Sequence, residues 1–297
     1  SFSGDVTGLN VSTLADTIWA SEYGGTENIF IGESGAVSDG TPSAKTVTGF
    51  SNIRGIAPEE PTKLGGYYAG SLGLFGQEND VSVAQDDQNI DTLAIVLASP
   101  LPRIEVPVNG QIVTLAPFGK SVGGCLGAGG DYTPTNTIVD FYVEDIAATK
   151  YKFRINYEDA EQGADHDMDA IVEYTVEVTG ANQVTVDLSS IYAAGCVIQH
   201  MGYVISGTTA DGTYLEVRDF DTSEDNDVDY ILDTPPNQLP GGVWNDGTFL
   251  PTTSQTRTFT VGSSPSASFI EHDPLWYASK WSMSTGDDTI LDTDEWD

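Results

Sequence analysis

Residues 165–178 read DHDMDAIVEYTVEV, and the second half of that stretch decides the fold. Val172, Tyr174, Val176 and Val178 alternate with Glu173, Thr175 and Glu177. A period of two puts the apolar set on one face of an extended chain and the polar set on the other, the pattern of a half-buried strand. The same period runs outward in both directions. Upstream, IVDFYVED (138–145) leads into YKFRINYED (151–159), where Tyr151, Phe153, Ile155 and Tyr157 alternate with Lys152, Arg154 and Asn156. Downstream, GANQ (180–183) turns the chain into VTVDL, with Val184, Val186 and Leu188 on the apolar side. GYVISGTTADGTYLEVRD (202–219) is a hairpin with Asp211-Gly212 as its turn. Closely spaced, one-sided strands predict an antiparallel β-sheet or sandwich domain over 138–270. Lys150, Lys152 and Arg154 crowd one strand, and their outward face is expected to pair with Glu173 and Glu177 across the sheet.

Residues 1–108 read as α/β. STLADTIWASEYGG (12–25) offers Ser12 and Thr13 as caps, apolar residues at helical spacing and a glycine stop. TKLGGYYAGSLGLFG (62–76) is a second helix, capped by Thr62, with Leu64, Tyr67, Tyr68, Leu72 and Phe75 as its stripe and glycines for close packing on a sheet. In DTLAIVLASP (91–100) the run Leu93–Ala98 is apolar at every position, as in a parallel strand buried on both faces. Apart from NIFIG (28–32), no other strand run stands near it, so half of an α/β domain is missing. Residues 109–137 are Gly-, Pro- and Thr-rich and read as a linker. Residues 271–297 read as a short aromatic helix, with Asp273 as N-cap and Pro274 at its first position, followed by an acidic tail.

The 297 residues carry 45 acidic and 11 basic side chains, a formal net charge of −34. That surface repels phosphate backbones and anionic lipid, which argues against nucleic acid and membrane surfaces as partners. No apolar stretch approaches the roughly 20 residues of a membrane span. Cys125 and Cys196 are the only cysteines, and with no third cysteine and no CxxC or CxxCH, structural zinc and c-type haem attachment are disfavoured. One disulfide or two separate thiols both fit. The chain opens on Ser and reads as an internal piece of something longer.

Three acidic clusters are the candidate sites. Asp165, Asp167 and Asp169 alternate, so their carboxylates could converge on Ca²⁺, which takes six to eight oxygen ligands, or they form the rim of a strand. Asp219, Asp221, Asp225, Asp227 and Asp229 have the carboxylate density of a calcium loop without a fixed template. Asp287, Asp288, Asp292, Asp294 and Asp297 form the third cluster. A P-loop, a nucleophile elbow and a dinucleotide fingerprint are all missing, so neither nucleotide binding nor an enzyme is predicted. His166, His200 and His272 lie in separate segments.

Several stretches, in order, resemble the PilY family of type IV pilus-tip adhesins. DTLAIVLASPLPRIEVPVNGQIVTLAPFGKSVGG (91–124) is similar to the end of that family's von Willebrand A-like domain. IVDFYVEDIAATKYKFRINYEDAEQGADHDMDAIVEYTV (138–176) is similar to its following β-rich region. MGYVISGTTADGTYLEVRDFDT (201–222), LPGGVW (239–244) and DPLWYASKW (273–281) continue the match. The resemblance implies an extracellular module at the cell surface or pilus tip that acts in adhesion and pilus biogenesis. The fold it implies is the C-terminal half of a von Willebrand A-like doubly wound domain, then an antiparallel β domain. Implied partners are minor pilus subunits, an upstream polypeptide completing the α/β sheet, and a host or surface ligand. The family's metal-binding DxSxS and its propeller calcium loop have no counterpart in these residues. The rival reading is a secreted protein that assembles by itself into a filament or matrix, cross-linked by calcium.

Overall fold

The structure, a computed structural model, describes residues 6–55, 65–95, 103–124, 134–135, 137–158, 170–194, 197–219, 238–239, 243–244, 252–262 and 265–283. A mixed α/β module comes first. Helix α1 (Val11–Glu22) leads into β1 (Glu27–Ser34), β2 (Val37–Val47) and β3 (Ile53–Arg54), and α2 (Tyr68–Glu78) follows. The strands form one antiparallel sheet in the order β2-β1-β3. The cap of α1 is Asn10, whose Oδ1 accepts from the Thr13 N–H at 3.2 Å, and not Ser12 or Thr13. The predicted parallel strand is absent where it can be seen. Residues 91–95 form no strand, with Leu93 69% and Ile95 100% exposed, and 96–98 lie outside the described residues. The von Willebrand A-like doubly wound sheet is therefore not formed by the described part of 1–108.

The stripe expected on α2 holds in part, with Tyr67 buried and Tyr68 packed against the core. Leu72 is 53% exposed, while Gly70, Ser71, Gly73, Leu74 and Gly76 are buried. They face helices and a loop rather than a sheet: α3 (Pro274–Ser282) returns from the far end of the chain and packs on α2 at Gly70 and Gly73, Ser71 Oγ donates to the Val11 carbonyl of α1, and Gly76 lies against Ile90. A Cβ at position 73 would overlap the Ala278 carbonyl, so glycine sets the closeness of this crossing. Asp273 caps α3 as predicted, its Oδ1 accepting from the N–H groups of Leu275 (2.7 Å) and Trp276 (3.0 Å). Residues 274–282 thus belong to the first module, not to a separate tail. Tyr277 closes its core among Trp19, Phe50 and Tyr67.

The second module is the predicted sandwich. One sheet runs β12-β11-β5-β4, from β4 (Ile104–Val108), β5 (Gln111–Gly124), β11 (Val197–Ser206) and β12 (Gly212–Arg218), with β6 (Pro134–Thr135) pairing β5. The other runs β15-β10-β9-β8-β7, from β7 (Thr137–Ile146), β8 (Lys150–Glu158), β9 (Ala170–Gly180), β10 (Gln183–Ala193) and β15 (Ser254–Thr260). A short pair, β13 (Gln238–Leu239) and β14 (Val243–Trp244), stands apart. The alternation holds along most of β9 and β10, where Val172, Tyr174 and Val176 are buried with Val184, Val186 and Leu188; Tyr151 and Val178 are only partly buried, and Asn156, expected outward, is buried.

The linker reading of 109–137 is corrected, because Gln111–Gly124 is a core strand. Asn109 (φ 49°) and Gly110 (φ 80°) form the tight turn from β4 into β5, a conformation these two residue types tolerate best. Val106, Val108, Val113 and Leu115 then fill the sandwich from both arms of the hairpin. Phe30, Ala116, Val204, Ala267 and Phe269 weld the two modules together.

Candidate functional site

Of the predicted calcium residues, only Asp219 lies within the described residues. It is buried just past β12, where its N–H donates to the Gln199 carbonyl at 2.9 Å and its Oδ2 lies 3.4 Å from the Gln199 N–H. Asp165, Asp167, Asp169, Asp221, Asp225 and Asp227 lie outside the described residues, as do Asp229, Asp287, Asp288, Asp292, Asp294, Asp297 and His166. Among the described residues no group of three or more His, Cys, Asp or Glu side chains could hold a metal. Cys125 and Cys196 are likewise outside. His200 is fully buried on β11, far in sequence from His272 and in a different element.

The charged face of β8 behaves as predicted in part. Lys152 Nζ meets Glu173 at 2.7 Å, while Glu144 of β7 bridges Lys152 (3.2 Å) and Arg154. The hydrogen bond that Lys152 donates to Glu173, then the one it donates to Glu144, raises the Lys152 pKa. Lys150 stands opposite Glu177 in the ladder. These exposed pairs contribute little to stability and serve register more than binding.

What the sequence did not single out is the seam between the modules. A cleft of about 290 Å³ opens there between the β4–β5 hairpin and residues 265–272. Arg103 reaches across it, with Nη2 3.0 Å from Glu105 and Nη1 donating to the Glu271 carbonyl at 3.3 Å. His272 lines the cleft and stacks on Trp276 at 3.5 Å. Burial lowers its pKa; the Lys280 and Arg103 cations add to this, and Glu271 opposes them. Behind it, Glu22 accepts from Lys280 Nζ (2.9 Å) and Trp281 Nε1 (2.7 Å), and Tyr23 OH meets Tyr277 OH at 2.9 Å. Burial raises the pKa of both tyrosines, so they stay neutral donors. The only sequence signal for this place was the aromatic run after His272, read there as a terminal helix.

The sandwich core carries its own polar tie. Glu216 is buried on β12 and accepts from Tyr203 OH (2.9 Å), Arg257 Nε (2.5 Å) and Arg257 Nη2 (3.1 Å). Burial, then the Glu216 charge, holds the Tyr203 pKa well above its ordinary value. Tyr174 OH links the sheets, donating to the Gly202 carbonyl at 2.7 Å. These groups fasten strands to one another. The chemistry on display is that of a rigid scaffold with a half-polar seam.

A profile described as the β-sandwich of PilY1 homologs matches residues 106–256, and one described as their second domain matches residues 1–76. The chain belongs to the PilY1 homolog family. A curated relative, the type IV pilus biogenesis factor PilY1 homolog of Xylella fastidiosa (strain Temecula1), is 44% identical over 310 residues, 94% of this chain. The match covers 21% of that PilY1 homolog, so this chain spans about a fifth of its relative's length. No solved structure matches. The family's sandwich profile starts at residue 106, within β4, in agreement with the strands that replace the expected linker.

Proposed function

We propose that this chain is a surface-exposed, pilus-associated module that serves type IV pilus biogenesis and adhesion by binding, without catalysing a reaction. The observation that carries the reading is the 44% identity to a pilus biogenesis factor along nearly the whole chain. Two welded modules give such a protein a stiff body, and the net charge of −34 favours basic or neutral partners over anionic surfaces. Minor pilus subunits, a host or surface ligand, and upstream polypeptide are the partners in this reading. Its placement is extracellular, at the cell surface or the pilus tip.

Residues 1–108 as the downstream half of a von Willebrand A-like domain belong to the same proposal. The antiparallel sheet among the described residues does not supply parallel neighbours, and in this reading an upstream polypeptide does; the apolar run 93–98 supports it. Calcium bound by Asp165, Asp167 and Asp169, or by Asp219, Asp221, Asp225 and Asp227, rests on carboxylate density alone. Native mass spectrometry with and without chelator tests it: a chelator-sensitive mass of about 40 Da per site is the expected signature.

The decisive experiment excises this region from the parent protein in a piliated strain and counts surface pili and attached cells. Fewer pili and weaker attachment are expected. Normal numbers of both, with the shortened protein present at normal level, would overturn the reading. Purified chain that forms filaments by itself in calcium would favour the self-assembling rival.

A further inference from the structure

The cleft between the β4–β5 hairpin and residues 265–272 holds more hydrogen-bonding capacity than the fold uses. Among the described residues, the hydroxyls of Thr114 and Ser268, the Glu271 carboxylate and the His272 imidazole line it without a hydrogen-bond partner. Arg103 is engaged only in part. Its Nη2 meets Glu105 at 3.0 Å and its Nη1 donates to the Glu271 carbonyl at 3.3 Å, yet its side chain stays 42% exposed. The apolar lining includes Ile112, 56% exposed, and Phe269. His272 is steadied by its stack on Trp276, ring centre to ring centre 3.5 Å.

Each of these features narrows the ligand. Small-molecule sites favour the boundary between modules, and about 290 Å³ suits a single ring rather than an extended peptide. Arg103 can only donate, Glu105 and Glu271 can only accept, and the two hydroxyls do both. His272 also does both as a neutral imidazole, the form that burial favours by lowering its pKa. Hydroxyl groups answer all of these partners, because each one donates and accepts. A carboxylate or phosphate would face Glu105 and Glu271 in a chain of net charge −34. A cation would face the Arg103 guanidinium, which already occupies one of the two carboxylates. What remains is a neutral, polyhydroxylated ring whose C–H surface covers Ile112 and Phe269 while its hydroxyls meet the polar lining.

We propose that this cleft binds one neutral sugar ring, such as the terminal unit of a surface glycan. Glu105 and Glu271 accept from its hydroxyls, Arg103 donates to them, and Thr114, Ser268 and His272 do either. The inference rests on the surface-ligand part of the reading above and gives that ligand a chemical class and a place. A ring of about a dozen heavy atoms in an open cleft, at the low end of ligand efficiency, binds with a Kd on the order of millimolar.

The test titrates the purified chain with the methyl glycosides of glucose, galactose, mannose and N-acetylglucosamine, following the His272 imidazole by NMR. Each is taken to about 50 mM, well above the expected Kd. A saturable His272 shift with at least one of them is expected. Glu271→Ala removes a charged acceptor from an exposed position and should weaken that binding by about tenfold or more. Ile112→Lys lays a long side chain into the cleft from a position already exposed, so it should abolish the shift and leave urea unfolding unchanged. Arginine amide and acetate, as cationic and anionic probes, should move His272 no more than matched sodium chloride does. No saturable shift with any of the four glycosides overturns the proposal, as does a shift that survives Ile112→Lys. A stronger response to arginine amide than to any glycoside would make the cleft a cation pocket and overturn it equally. None of these readouts counts pili or attached cells, so a failure here leaves the pilus reading standing, and normal piliation would not touch the titration.

Discussion

In the sandwich, strands β8, β9 and β10 follow one another in sequence and pair in the same order, and every second side chain enters one core. In the α/β module the core draws on residues 15–74 together with Ile270 and Tyr277, so nearly 200 residues of sandwich lie between its halves. The first core is built around the local run β7 to β10, joined to the more distant pairings β5–β11 and β10–β15, and is tied by ions and hydroxyls: Glu216 with Arg257, Tyr174 with Gly202. The second depends on a long closure and is tied by ring packing, Phe50 lying 4.5 Å from Tyr67 and 4.9 Å from Tyr277 between ring centres. Local strand pairing tolerates damage elsewhere. A module completed by a distant helix does not, because losing that helix exposes the whole aromatic cluster.

The sharpest way to break the sandwich alone is Arg257→Ala, which strands the buried Glu216 carboxylate. A loss of about 3–5 kcal/mol in urea unfolding is expected, the usual result of removing one partner of a buried pair. Replacing Glu216 and Arg257 together by apolar residues should restore most of it; failure to do so would mean that the ion pair is not the source. The next effect tests the far end of the same module. The β5–β11 ladder ends, among the described residues, with Val197 opposite Gly124, one position from each cysteine. Intact mass measured with and without reductant is expected to differ by about 2 Da for a Cys125–Cys196 disulfide, and reduction to cost about 2–4 kcal/mol. Equal masses would show two thiols.

The α/β module is addressed by Gly73→Ala, whose methyl group must push α3 off α2. About 1–3 kcal/mol is expected, with indole emission changing at Trp276 and Trp281 while the sandwich unfolds as before. A simultaneous loss of both modules would show that the seam couples them more tightly than the comparison implies. The smallest effect is acid sensitivity at His272. Its folded pKa is lowered by burial, so the unfolded chain takes up the proton first. The stability it contributes is present above its ordinary value near 6.5 and is lost as pH falls through the folded pKa. An NMR titration should place His272 below that value, and His272→Gln should flatten the stability profile between pH 7 and 5.

Much of this was legible in the sequence, and the reasons differ by element. The alternation predicted buried faces that the structure reproduces through Phe153–Tyr157, Val172–Val176 and Val184–Leu188, because strand period is a property of the backbone, while Tyr151 and Val178 are only partly covered and Asn156 is buried against the pattern. Lys152 with Glu173 followed from the same period. The β4–β5 hairpin was missed because glycine and proline around it outweighed the Asn109-Gly110 turn signal. For the candidate site, the acidic clusters were visible as composition, but composition does not bring carboxylates together; Asp219 is buried against Gln199. The cleft under Arg103 and His272 left no trace in local spacing, since its walls come from three separate segments, 103–114, 206–207 and 265–272.

The sequence by itself determined the sandwich, the α3 cap at Asp273, and the family. Periodicity, capping chemistry and ordered motifs are local, and each residue carries its own share of the signal. Only the tertiary structure decided which helix the glycines of α2 receive, that the last helix completes the first module, and that Leu93 and Ile95 are exposed. Those are long-range facts. They depend on which surfaces meet once the chain has collapsed, and apolar burial is proportional to area without regard to sequence distance.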